Sequence, residues 1–314
     1  MTSTDENRLL IRPVNRSAWR NTHIYASDDR DTALGGLWVA EGITNTYLYS
    51  MVEIFCIFTD TFGLQDDSGR LVGRDEQPLR PGNYYIITNG SITITDEAPL
   101  LRTISLHTGT RVESFIHSVR DRDRRCIITG RSAVMAGVSF WENFEAVHVF
   151  PLAYEENWNN DNFSQWITVP PDSESHGTIN SVQNGMLLTL DMHAMFESYQ
   201  ISINPDDDHR VVCFTPYASS YGITSAHLDQ RFLNNPLRPV DQLLRWHFRQ
   251  AVLVNMKGTG EPCFEMDLPP GSDIIGQIMS GPKAKERMEF ELFSRFNAQG
   301  FTRKAKLGSQ VMCI

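Results

Sequence analysis

The stretch from Cys126 to Ile203 restricts this chain more than any other part of it. Glu145-Ala-Val-His148-Val-Phe-Pro reads as a strand that ends at a proline. After a polar loop comes Asn180-Ser-Val-Gln-Asn184-Gly-Met-Leu-Leu-Thr-Leu-Asp-Met-His193-Ala-Met-Phe-Glu197. A histidine on a β-ribbon, an asparagine at the ribbon's return and a histidine nine residues later on a helix form a far more specific pattern than any lone histidine. His193 and Glu197 stand at i and i+4, on one helix face.

The rest of the chain bounds what that pattern can serve. Its 314 residues, 41% hydrophobic and 21% charged, suit an ordinary globular protein with one large or two modest cores. A net charge of −10 excludes a generally basic, nucleic-acid-coating protein, so any nucleic-acid site must be local. From Arg111 to Arg131, six arginines stand against three acidic residues, and alternating signs within Arg120–Arg125 predict a solvated helix face. The N-terminus lacks the basic and apolar blocks of a secretory signal. Glu53 interrupts the short apolar run Met51–Phe58, which excludes a spanning helix there and argues against a membrane partner. Five cysteines without a Cys-x-x-Cys pair fit reduced thiols in the cytoplasm or nucleus, and argue against a disulfide framework or a zinc ribbon.

The expected fold class is α+β, in four pieces. Residues 1–17 are polar and expected to be flexible, and residues 18–110 form an antiparallel β module. Within it, Asn89-Gly90 predicts a hairpin between Tyr84–Thr88 and Ser91–Thr95, and a helix is expected over Thr44–Thr59. Residues 111–204 hold the central motif. Residues 205–314 form a helical extension, with one helix from Pro239 to Gly258 and another after Gly281-Pro282. On the first of these, His247 beside Trp246 reads as a packed residue. Cys126 reads as a small core residue and Asp206-Asp207-Asp208 as a turn.

The chain resembles the fungal HNH-nuclease-domain proteins of the ββα-metal superfamily, and the likeness extends over nearly all of it. It rests on Cys126 to Gly130, Glu145 to His148, Asn184 to His193, Leu244-Arg-Trp-His-Phe248 and Pro270-Gly-Ser-Asp273. The resemblance implies a metal-dependent phosphodiester hydrolase. In it His148 would be the general base, Asn184 would tie the ribbon and hold His148, and His193 with Glu197 would bind one divalent cation, Mg²⁺, Mn²⁺ or Zn²⁺. Glu145 would orient one of these groups from behind, and no organic cofactor is implied. One position departs from the pattern. The residue before the base, usually a metal-binding Asp or His, is Val147, which cannot bind a metal.

Two further readings compete with nucleic-acid cleavage. The scaffold would serve a small apolar substrate, as a cyclase or Diels-Alder-type pericyclase of fungal secondary metabolism. Its cleft would lie between the β module and the helical tail, lined by Trp141, Trp158, Trp166, Phe196 and Tyr199. Alternatively, the protein is a non-catalytic interaction module that keeps the scaffold.

Overall fold

The computed structural model describes residues 16–97, 99–100, 113–171 and 177–258. The N-terminal part holds β1 (Thr22–Ala26), β2 (Ala33–Leu37), α1 (Asn45–Phe55), β3 (Cys56–Phe58), β4 (Phe62–Asp66), β5 (Leu71–Val72), β6 (Gly82–Thr88) and β7 (Ile92–Ile94). Then come α2 (Glu113–Asp123), the small hairpin β8 (Val134–Met135) and β9 (Val138–Ser139), β10 (Phe144–His148), α3 (Glu155–Asn160), β11 (Gly185–Thr189) and α4 (Leu190–Glu197). The last described part holds β12 (Ile201–Asn204), β13 (Arg210–Cys213), the single turns α5 (Pro216–Ser219) and α6 (Gln230–Leu233), and α7 (Asp241–Met256).

Five strands form one sheet in the order β2-β1-β6-β4-β5. The expected antiparallel module is corrected here, because β1 and β6 run parallel, from Thr22 opposite Gly82 to Ala26 opposite Ile86. The intervening chain supplies the long crossover that a parallel pair needs. The expected hairpin at Asn89-Gly90 is corrected too: β7 leaves the sheet of β6 and pairs antiparallel with β3. Gly90 is small there because of a close approach, since a Cβ would fall 2.6 Å from Thr59 Oγ1 and 2.7 Å from the Asp60 nitrogen.

Helix α1 begins where a side chain can satisfy its first turn, with Thr44 Oγ1 accepting from the Tyr47 N–H at 3.3 Å. Leu48, Met51, Val52 and Phe55 recur at helical spacing and are all fully buried, whereas Glu53 points outward to Arg74 at 2.7 Å. The helix stops at Phe55, short of the expected Thr59, because the chain turns into β3. At the other end of the described chain, α7 matches its expected stripe. Its Leu243 and Leu244 enter the core around β10, β11 and α4, while Phe248, Ala251, Val252 and Met256 enter the core of the five-stranded sheet.

Other expectations shift in detail. Arg16 is buried within the stretch expected to be flexible, donating to Asn255 Oδ1 and to the Ser198 carbonyl. The extension expected to be helical opens with a strand, because β13 pairs with β12 around the turn at Asp206–Asp208. The helix after Gly281-Pro282 lies outside the described residues. Cys56, Cys126 and Cys213 are free and buried, and burial pushes the Cys56 and Cys213 thiols up to about 12. Among the described residues no helix is long and apolar enough to cross a membrane.

The charged helix α2 is not wholly a solvated face. The side chains of Arg122 and Asp123 are 1% and 0% exposed, and they pair with each other. Arg122 also donates to the carbonyls of Val182, Gly185 and Leu237, and Asp123 Oδ2 accepts from the Leu187 N–H at 2.8 Å. The pair thus fastens α2 to β11. Gly185 allows that approach, since a Cβ there would lie 2.6 Å from the Phe115 ring and from Val119 Cγ2. Gly185→Ala is therefore expected to destabilise the fold by about 1–3 kcal/mol through overpacking. The check is a lowered urea midpoint at an unchanged slope.

Candidate active site on the ribbon

β10 and β11 pair antiparallel from Phe144 opposite Thr189 to His148 opposite Gly185, and α4 follows β11 without a loop. Strand alternation sends Glu145 and Val147 to one face of this ribbon and Ala146 and His148 to the other. Val147 is 1% exposed and faces Met186 across the ribbon, so it is core.

His148 is 7% exposed and its ring stacks on Phe115 of α2, with centroids 3.9 Å apart and planes 9° apart. Its Nε2 lies 3.2 Å from Asn180 Oδ1. With that oxygen accepting, Nε2 carries the proton and Nδ1 keeps the lone pair, the tautomer a general base needs. Asn180 sits at the end of a 3-10 turn, Thr178–Asn180, and the pattern of the sequence does not single it out. Asn180 and Phe115 both line a cleft of about 440 Å³ with Ser114, Ser118 and Asn235.

Asn184 is fully buried and is committed to main chain. Its Oδ1 accepts from the Phe150 N–H at 2.8 Å, and its Nδ2 donates to the Phe150 and Ile179 carbonyls at 3.1 and 2.9 Å. Its own carbonyl accepts from the Val149 N–H at 2.8 Å. Asn184 therefore clamps the chain just after His148, while Asn180 meets the ring itself.

The structure brings Glu145, His193 and Glu197 together. Glu145 Oε2 meets Nδ1 of His193, and Glu197 Oε1 lies 2.9 Å from Nε2. That second approach is off the N–H direction, so Nε2 is buried with no hydrogen bond. Burial pulls the His193 imidazole toward its neutral form. The two flanking carboxylates outweigh that pull and hold its pKa above the ordinary histidine value.

The two carboxylates sit at opposite ends of the ring and do not converge on one point. Accordingly, no group of three His, Cys, Asp or Glu side chains with metal-binding geometry occurs among the described residues. What remains is Nε2 of His193 with an oxygen of Glu197, and Glu145 holding the far side of the ring, as carboxylates behind metal-binding histidines do. An orphaned, buried imidazole nitrogen beside a carboxylate fits a divalent cation that keeps several waters, rather than a closed four-ligand zinc site.

Of the arginines near the ribbon, Arg124, Arg125 and Arg131 are exposed. Arg120 lies over the Trp141 ring at 4.9 Å. His247 is fully buried, stacked on Phe196 at 3.6 Å, with Nδ1 2.7 Å from Ser202 Oγ.

Two family models match the chain. One describes a domain of unknown function (DUF8573) and covers residues 19–93; the other describes an HNH endonuclease and covers residues 126–204. The expected likeness over nearly the whole chain is thereby narrowed to 126–204, and neither match indicates a fungal source. Glu145, His148, Asn184, His193 and Glu197 all fall within the HNH endonuclease match. No curated protein and no solved structure matches the chain.

Proposed function

We propose that this protein is a metal-dependent phosphodiesterase of the HNH type that cleaves nucleic acid. The observation that carries the reading is the buried, unbonded Nε2 of His193, held from Nδ1 by Glu145 and flanked by Glu197, within the segment that matches an HNH endonuclease. A bound divalent cation supplies Lewis-acid stabilisation of charge on the phosphate and on the leaving 3′-oxygen. His193 and Glu197 hold that cation, and Glu145 fixes the imidazole so that Nε2 faces it. His148 accepts at Nδ1 the proton of the attacking water, while Asn180 keeps the proton on Nε2 and the ring in place. The Phe115 stack restricts the ring further, which lowers the entropy cost of reaching the reactive geometry.

The direct test is incubation of the purified protein with supercoiled plasmid, single-stranded DNA and RNA in Mg²⁺, Mn²⁺ or Zn²⁺. Intact nucleic acid under every condition would overturn the proposal. His193→Ala is expected to abolish the saturable Mn²⁺ heat in calorimetric titration, whereas unchanged Mn²⁺ affinity would remove His193 from the site.

Nucleic acid is expected to approach over the exposed arginines. Replacing Arg124, Arg125 and Arg131 together by glutamine should weaken DNA binding and lower the salt slope by about one for each phosphate no longer neutralised. An unchanged slope would place the binding surface elsewhere.

A further inference from the structure

A second cavity, of about 640 Å³, lies away from the ribbon face that carries His193. Its walls come from three places: α1 (Tyr47, Ser50), the turn after β12 (Asn204, Asp206) and α7 (Trp246, Phe248). It therefore sits at the junction of the segment matching the domain of unknown function, the segment matching the HNH endonuclease, and the helix that packs on both. Junctions of this kind are where small-molecule sites concentrate.

Two features define what would fill it. The first is Tyr47, which is 5% exposed, packs edge-on to Phe248 at 6.0 Å, and has a buried hydroxyl with no hydrogen-bond partner. Its polar neighbour Asn204 uses its own Oδ1 on the Asp206 N–H at 3.1 Å. Burial raises the pKa of Tyr47, so the group is a neutral O–H, able to donate to an incoming acceptor. A donor left without an acceptor costs the fold its desolvation, and a ligand that accepts from it recovers that loss.

The second feature is charge. Asp206 is paired with Arg245, Asp207 with Arg210 at 2.6 Å, and Arg249 with Glu97. The cavity thus offers little to a phosphate or carboxylate. Its aromatic surface, from Tyr47, Trp166, Trp246 and Phe248, favours a flat apolar body.

We propose that this cavity binds a neutral, planar aromatic or heteroaromatic small molecule that accepts a hydrogen bond from Tyr47 Oη. The site stands independently of nucleic-acid cleavage, and its test needs no nuclease readout.

The test titrates the whole chain with coumarin, quinoline and isoquinolin-1-one, with 2-naphthoate as an anionic control, by calorimetry and tryptophan fluorescence. The expected result is saturable binding of at least one neutral probe below about 1 mM, and weaker or no binding of the naphthoate. Tyr47→Phe should keep the same or a higher melting temperature, since it deletes only an unbonded hydroxyl, yet weaken the probe by about tenfold. Ser50→Trp, at an exposed position on the cavity wall, should fill the space and abolish binding. No saturable binding of any neutral probe would overturn the proposal. So would binding that both folded variants leave unchanged, or tighter binding of the anion.

Discussion

His148→Ala is expected to lower the cleavage rate by about two to four orders of magnitude, the range that a positioned general base contributes. Affinity for nucleic acid should hold, because the imidazole contributes to the proton transfer and not to the phosphate contacts. The ring is held on two sides, by Asn180 Oδ1 at Nε2 and by the Phe115 stack, so no neighbouring group can swing in to replace it. Alanine also leaves a void against Phe115. His148→Gln is therefore made alongside it, as a variant that keeps most of the volume, and the far-ultraviolet spectrum and melting temperature of both are followed. Full cleavage by a folded variant would show that the base is another group.

Asp123→Ala is expected to cost about 3–5 kcal/mol of stability, the penalty for leaving a buried charge without its partner. Here the orphan would be Arg122, whose side chain is 1% exposed and which also bonds three main-chain carbonyls. The Leu187 N–H would lose its acceptor as well. Asp123→Asn separates the two losses, since it keeps an oxygen for Leu187 but not the negative charge. Denaturant unfolding provides the measurement, and a loss under about 1 kcal/mol for Asp123→Ala would mean that the pair is solvated after all.

The ribbon and α4 were legible because their signal is local. His193 and Glu197 are separated by one helical turn, and Glu145 lies in the same strand as His148, so periodicity alone relates them. The partners of His148 were not legible. Asn180 arrives on a 3-10 turn within a polar loop, and Phe115 comes from a helix more than thirty residues upstream, so no spacing rule joins either to the histidine. The same limit explains the N-terminal errors. Alternation is identical in parallel and antiparallel strands, which hid the β1–β6 pairing. Asn89-Gly90 carries a hairpin's local signature, but β7 finds a distant partner in β3. The cleft expected at Trp158, Phe196 and Tyr199 is corrected because those side chains are almost wholly buried. Only Trp166 of the five lines the larger cavity.

Helix α7 gives Leu243 and Leu244 to one core and Phe248 to Met256 to the other, so the two matched segments are not beads on a string. A stop codon or a protease cut ahead of residue 241 would strip the apolar cover from both at once. For the cell, this late stretch of chain acts as a completeness check: a ribosome that falls off early releases neither half in working form.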